Sequence, residues 1–213
     1  MSREAPGETY DRAVLAFDPA EHRYTFGERE LPSVTRILAD VGLTDFSAPW
    51  FTEFARERGS LVHAAIALDN EDALDYESLD PVLVGYVDGW RKYLRESGAV
   101  VEHFEQPVCD LNVGYAGTLD AIVLEQGQSG PTRRTLIDIK PALYPSVGPQ
   151  TAAYARCARG LYETPVLFRR AAIVLPGDGT YTRKALEDPL DESTFLAAVR
   201  IFQWRSIHVL RTR

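Results

Sequence analysis

"TLIDIKPAL", residues 135–143, sets an aspartate and a lysine two positions apart in an otherwise apolar run. A strand alternates its faces with period 2, so Asp138 and Lys140 point one way while Ile137 and Ile139 point the other. Isoleucine and leucine are the residues that normally go inside. Two opposite charges sharing one side of a core strand are therefore either a solvated edge or one arm of a site.

The period-2 pattern continues upstream. "VVEHFEQPVCDL" (100–111), "GTLDAIVLE" (117–125) and "RTLIDIK" (134–140) read as three strands, with turns at "NVGYA" and "QGQSGP". The connection between the second and third suits an antiparallel hairpin, which brings Asp120 toward Asp138. Two carboxylates in a low-dielectric sheet repel, and one takes a raised pKa unless a cation is present. Mg²⁺ meets that need with one or two carboxylates while keeping several waters. Lys140 would then face a metal-bound water or a substrate phosphate as a positive point charge. On its own the Asp–X–Lys spacing also suits a wet strand face.

Helical signals surround these strands. "LPSVTRILADVG" (31–42) starts at Pro32–Ser33 and stops at Gly42, and "DPVLVGYVDGWRKYLRESG" (80–98) stops at Gly98. "SAPWFTEFARERGSLVHAAIALD" (47–69) reads as a helix interrupted at Gly59 and restarted with Ser60 as N-cap. "GPQTAAYARCARG" (148–160) reads as a helix with Pro149 at its first position and Gly160 just past its end. Gln150 and Tyr154 share one face of it, near a terminus whose free N–H groups favour anions. "AVLAFDPAEHRYTF" (13–26) and "VLFRRAAIVLPGDGTYTRKAL" (166–186) read as hairpins, and "DESTFLAAVRIFQWRSIHVL" (191–210) as a terminal amphipathic helix capped by Asp191. The order predicts an α/β domain with a central mixed sheet between helices. With no repeat or long linker, residues 1–213 form one domain, 1–30 being an N-terminal hairpin extension.

The chain has 213 residues, 45% of them hydrophobic, enough for one sizeable core. The polar start "MSREAPGETYDR" is unlike a signal peptide, no apolar stretch is long enough to span a bilayer, and Cys109 and Cys157 suggest no disulfide framework. A cytoplasmic location is expected. Two cysteines also exclude a four-cysteine iron–sulfur cluster. The net charge of −8 hides a split: residues 1–130 carry 10 Lys+Arg against 24 Asp+Glu, and residues 131–213 carry 13 against 7. Such asymmetry hints at a charged ligand on one surface, and "DNEDALDYESLD" (69–80) reads as a solvated acidic face.

The ordered set "RGSLVH", "GYAGTLD", "IDIK" and "QTAAY" resembles the PD-(D/E)XK nuclease superfamily, in its RecB-like and phage-exonuclease branch. That pattern runs GxxxH, an aspartate after a Gly-containing turn, (D/E)xK and QxxxY, and here falls on Gly59 and His63, Asp120, Asp138 and Lys140, Gln150 and Tyr154. The resemblance spans roughly residues 20–205. Pro141 departs from it, standing where many relatives have a small polar residue. The resemblance implies a restriction-endonuclease-like core and a Mg²⁺- or Mn²⁺-dependent deoxyribonuclease acting on DNA ends. Asp120, Asp138, the Ile139 carbonyl and His63 would hold the metal, with Glu105 as a backing or second-metal carboxylate. Lys140 would orient and help deprotonate the attacking water, and Gln150 and Tyr154 would grip the DNA strand. With the charge split, it puts the DNA path on the 131–213 half, at Arg133, Arg134, Arg156 and Arg159. A homo-oligomer or a recombination or repair partner protein also fits this branch. The alternatives are a non-catalytic nucleic-acid-binding or interaction module on the same fold, and a glycosidase using Asp120 and Asp138 as acid and base, which would have no use for Lys140.

Overall fold

Leu136, Ile137, Asp138 and Ile139 are all at most 2% exposed, so the strand that carries the charged pair is covered on both faces. Leu136 joins one hydrophobic cluster and Ile137 and Ile139 join the other, as period-2 alternation requires. The computed structural model describes residues 15–44, 52–127 and 130–208. In chain order it comprises β1 (Leu15–Asp18), β2 (Arg23–Phe26), β3 (Arg29–Leu31), α1 (Val34–Asp40), α2 (Glu53–Asn70), α3 (Pro81–Ser97), β4 (Val100–Asp110), β5 (Tyr115–Gly127), β6 (Gly130–Lys140), α4 (Val147–Ala158), β7 (Arg169–Val174), β8 (Thr182–Ala185) and α5 (Asp191–His208).

The chain is an α/β structure around a five-stranded sheet of order β4-β5-β6-β7-β8. All neighbours are antiparallel except β6 and β7, which run parallel. A parallel pair needs a crossover, and α4 supplies it. Residues of α1, α4 and α5 pack with Val108, Ile122 and Leu136 on one face of the sheet. Residues of α2 and α3 pack with Val123, Ile137, Ile139 and Ile173 on the other. The small sheet β1-β2-β3 sits against β4 and β5 through Tyr24, Leu31, Cys109 and Ala116. The Tyr24 hydroxyl and Thr118 Oγ1 lie 2.9 Å apart, and the Ala116 amide donates to the Pro32 carbonyl at 3.0 Å.

Most expected elements are present. The first hairpin is seen over its described part, 15–26, and gains a third strand, β3, that the pattern did not announce. Ser33 caps α1, accepting from the Arg36 amide at 3.1 Å, and Asp80 caps α3 with Pro81 at its first position. Gly98 ends α3 at φ +64°, a left-handed conformation that glycine adopts without penalty. β5 and β6 extend beyond the expected strands at both the 115 and the 130 ends, and three helix starts differ. The helix expected over 47–69 is not broken at Gly59: α2 runs unbroken from a Thr52 cap, residues 47–51 lying outside the described set. A mid-helix glycine costs only about 1 kcal/mol, and burial of Val62, Ala65 and Ile66 against α3 outweighs it. Ser60 bonds back to the Arg56 carbonyl instead of capping. Pro149 is the third residue of α4, not the first, still within the turn whose N–H groups lack helical partners. Asp191 is the first residue of α5 and its carboxylate is taken by Arg170 Nη1 at 2.8 Å.

No helix among the described residues is long and apolar enough to cross a membrane. Because β6 is enclosed on both faces, Ile137→Ala should remove about 2–5 kcal/mol of stability by opening a cavity the neighbours cannot fill. Urea unfolding followed by circular dichroism checks this.

Candidate metal centre and cleft

The registers of three adjacent strands align three acids. Ala121 pairs with Ile137, so Asp120 falls one step further on, across from Asp138. Phe104 pairs with Ala121 and Gln106 with Leu119, which sets Glu105 across from Asp120. Side chains directly opposite on antiparallel strands stand about 4.5–5.5 Å apart at Cβ. Glu105, Asp120 and Asp138 thus form a row across β4, β5 and β6.

Two cations and one amide answer this row. From α2, His63 Nδ1 lies 2.5 Å from Glu105 Oε1 and 3.9 Å from Asp120 Oδ1. Lys140 Nζ lies 3.0 Å from Asp138 Oδ1 and 3.9 Å from Asp120 Oδ2. The Ile139 amide donates to Asp120 Oδ2 at 2.6 Å; the contact seen at this residue is thus through its N–H. Asp138 Oδ2 is buried with no hydrogen-bond partner. Glu105 adopts φ +46° in the middle of its strand, a conformation that costs a non-glycine residue about 1–3 kcal/mol and collects at functional sites.

The electrostatics follow from burial and neighbours. Burial disfavours the charged form of His63, but Asp120 and the hydrogen bond to Glu105 outweigh it and push its pKa up to about 9. Burial likewise opposes the Lys140 charge, and Asp138 and Asp120 overcome it, so the ammonium is held above its ordinary range. Burial drives the Asp138 carboxyl upward against the pull of Lys140.

Ligand atoms of His63, Glu105 and Asp120 lie within 4.8 Å of one another, so this group could hold a metal ion. One imidazole nitrogen and two carboxylates suit a divalent cation. The grouping differs from the sequence expectation in one respect: Glu105 joins His63 and Asp120, while Asp138 is turned to Lys140.

Gln150 and Tyr154 separate in role. Gln150 is 8% exposed and lines the cleft. Tyr154 is 4% exposed and does not line the cleft. Its ring lies on Gly117, where an added Cβ would come within 2.6 Å of Cε1. The tyrosine expected to grip a strand is thus a core residue behind Asp120, and the glycine before Asp120 makes room for it.

Lys140, His63 and Glu105 open into a cleft of about 850 Å³ between α2, the 141–146 segment and the first turn of α4. The four arginines expected along a DNA path do not line it. Arg134 is bound by Glu102 through two contacts of 2.7 Å, Arg156 by Asp110 and Glu192, and Arg159 by Glu192. Arg133 and Arg134 lie toward the other end of β6, about 13–17 Å from Asp138 at 3.3 Å per residue. The cleft's cations besides Lys140 and His63 are, among the described residues, Arg56 and Arg58 on α2. The available sequence signal was their helix: Arg56, Ser60 and His63 fall at i, i+4 and i+7, one face.

No protein-family model matches the chain, and no curated protein matches it.

A histidine whose folded pKa is raised stabilises the fold fully below its unfolded value, near 6.5, and loses that contribution as pH rises through about 9. Urea unfolding in chelator should therefore show stability falling between these limits. His63→Gln should flatten that fall, and an unchanged slope would refute the imidazolium–carboxylate pair.

Proposed function

We propose that the chain is a divalent-metal-dependent deoxyribonuclease of the PD-(D/E)XK type, with a restriction-endonuclease-like core, hydrolysing phosphodiester bonds at DNA ends. The observation that carries this reading is the row Glu105–Asp120–Asp138, flanked by His63 and Lys140 on the wall of one cleft. Support also comes from the motif order: three separate segments, at His63, Asp120 and Asp138–Lys140, converge on one end of the sheet. A purely structural ion-pair cluster gives no reason for a strained Glu105 or an orphaned carboxylate oxygen on Asp138.

His63, Glu105 and Asp120 would hold the cation, Mg²⁺ or Mn²⁺, with Asp138 contributing its unpartnered oxygen. When bound, such a cation lowers the pKa of a coordinated water and offsets charge on the phosphate. The protein's own groups supply the remainder. Lys140 is held as an ammonium, so it acts by donating hydrogen bonds and positive charge to a water or phosphoryl oxygen; deprotonating the water, the other half of its expected role, does not suit that state. The Ile139 amide fixes Asp120. Gln150 offers a polar contact to the strand from the first turn of α4. A DNA substrate and two free, buried cysteines, Cys109 and Cys157, are in keeping with a cytoplasmic location.

Purified protein should degrade linear DNA with Mg²⁺ or Mn²⁺, lose the activity in EDTA, and spare a closed circle. Linear and single-stranded DNA both left intact with either metal would refute the enzyme reading.

Two variants separate the charges of "DIK". Asp138→Asn should weaken both Mn²⁺ binding and cleavage. Lys140→Ala should keep Mn²⁺ binding, or tighten it slightly, yet lower cleavage by about 10²–10³, the usual cost of one lost electrostatic stabiliser. Calorimetric Mn²⁺ titration paired with rates at saturating metal reads both; equal loss of metal in the two variants would give the lysine a shaping role only.

A further inference from the structure

We infer that the cleft beside the carboxylate row is a groove for single-stranded DNA, with Arg56 and Arg58 of α2 as its phosphate contacts; the inference rests on the nuclease reading and narrows its substrate. Depth is the first observation. Asp138 is 1% and Asp120 8% exposed and neither lines the cleft, so a phosphodiester approaches the row through Glu105, His63 and Lys140, which do. At about 850 Å³ the cleft has the size of a small-ligand pocket, for which 300–1,000 Å³ is typical. That is room for a few nucleotides of one strand. A duplex carries its phosphates on the outside of a stiff rod, with a persistence length of about 150 base pairs, and meets so small a cleft side-on. A single strand bends freely.

The walls carry the second observation. Arg56 and Arg58 line the cleft, and neither guanidinium has an ion-pair partner among the described residues. Arg134, Arg156 and Arg159, outside the cleft, are all committed to carboxylates. Arg56 lies on the same face of α2 as His63, about 10 Å along the axis at 1.5 Å per residue, so a strand held there runs on toward the carboxylates. Phe54 of α2, outside the cleft lining, is 65% exposed with the Arg58 guanidinium 5.6 Å from its ring centroid. An exposed aromatic ring beside a cation is a surface on which an unpaired base leaving the cleft can stack. In a chain of net charge −8, attraction for a polyanion must be local, and this wall is where the cleft offers it.

Fluorescence anisotropy in Ca²⁺ tests this with a labelled single strand and a blunt duplex of the same sequence. The wild-type protein should bind the single strand at least tenfold more tightly. Arg56→Ala/Arg58→Ala should weaken that binding about tenfold or more and lower the slope of log affinity against log salt by about 1–2, because each lost phosphate contact releases one counterion fewer. Arg133→Ala should change neither, and Mn²⁺ binding by the double variant should match wild type, showing an intact fold and carboxylate row. Duplex binding as tight as single-strand binding, or an unchanged salt slope in the double variant, overturns the groove. The two readings fail separately. Arginine-dependent single-strand binding without cleavage in Mg²⁺ or Mn²⁺ keeps the groove and removes the nuclease, whereas cleavage that the double variant retains at wild-type KM keeps the nuclease and removes the groove.

Discussion

Three carboxylates side by side at the end of a buried sheet repel one another, and much of the structure answers that repulsion. At an effective dielectric near 20, two like charges 4–5 Å apart cost on the order of 3–4 kcal/mol. The compensation here comes from three separate elements: Lys140 from the same strand as Asp138, His63 from α2, and the Ile139 amide for Asp120. It is incomplete, since one Asp138 oxygen stays buried without a partner. An acid row that the protein leaves undercompensated is a place where an added cation is favoured.

The fold keeps this row where it is. β6 runs between two hydrophobic clusters, so its register cannot slip by one residue without sending Asp138 and Lys140 into the α2–α3 side. Its parallel pairing with β7 demands a crossover, and α4 begins just beyond Lys140, with its first turn on the cleft. Further along that helix Tyr154 fills the space over Gly117, immediately before the strand delivers Asp120. Glu105 reaches His63 from a left-handed backbone conformation that the pairing on either side of it holds in place. Core packing and site geometry are the same contacts seen from two sides.

Much of this was legible in the sequence because it depends on local period and punctuation. The alternation in "TLIDIK" identified β6 and the shared side of Asp138 and Lys140. Ser33, Asp80, Pro81 and Gly98 marked helix ends through hydrogen bonds within a few residues of themselves, and the hairpins followed from their turns. Where a local signal met a stronger distant one, the local signal lost. Gly59 did not break α2, because burial against α3 outweighs a cost of about 1 kcal/mol. Asp191 did not cap α5, because Arg170, 21 residues away, took its carboxylate.

The residue types of the site were thus determined by the sequence, while their partners were decided only by the tertiary structure. Composition located positive charge in residues 131–213, yet charge counted along a chain says nothing of which carboxylate lies across a groove. Arg134 and Arg156 meet Glu102, Asp110 and Glu192 there, which leaves Arg56 and Arg58, from the acidic half, on the cleft. Tyr154 shares a helix face with Gln150 by spacing, but only the packing of that face against Gly117 decides that one is enclosed and the other open. Glu105 joins His63 because strand register and one strained backbone angle bring them within 2.5 Å. Periodicity is a property of neighbours in sequence, whereas ion pairing, burial and strain belong to neighbours in space.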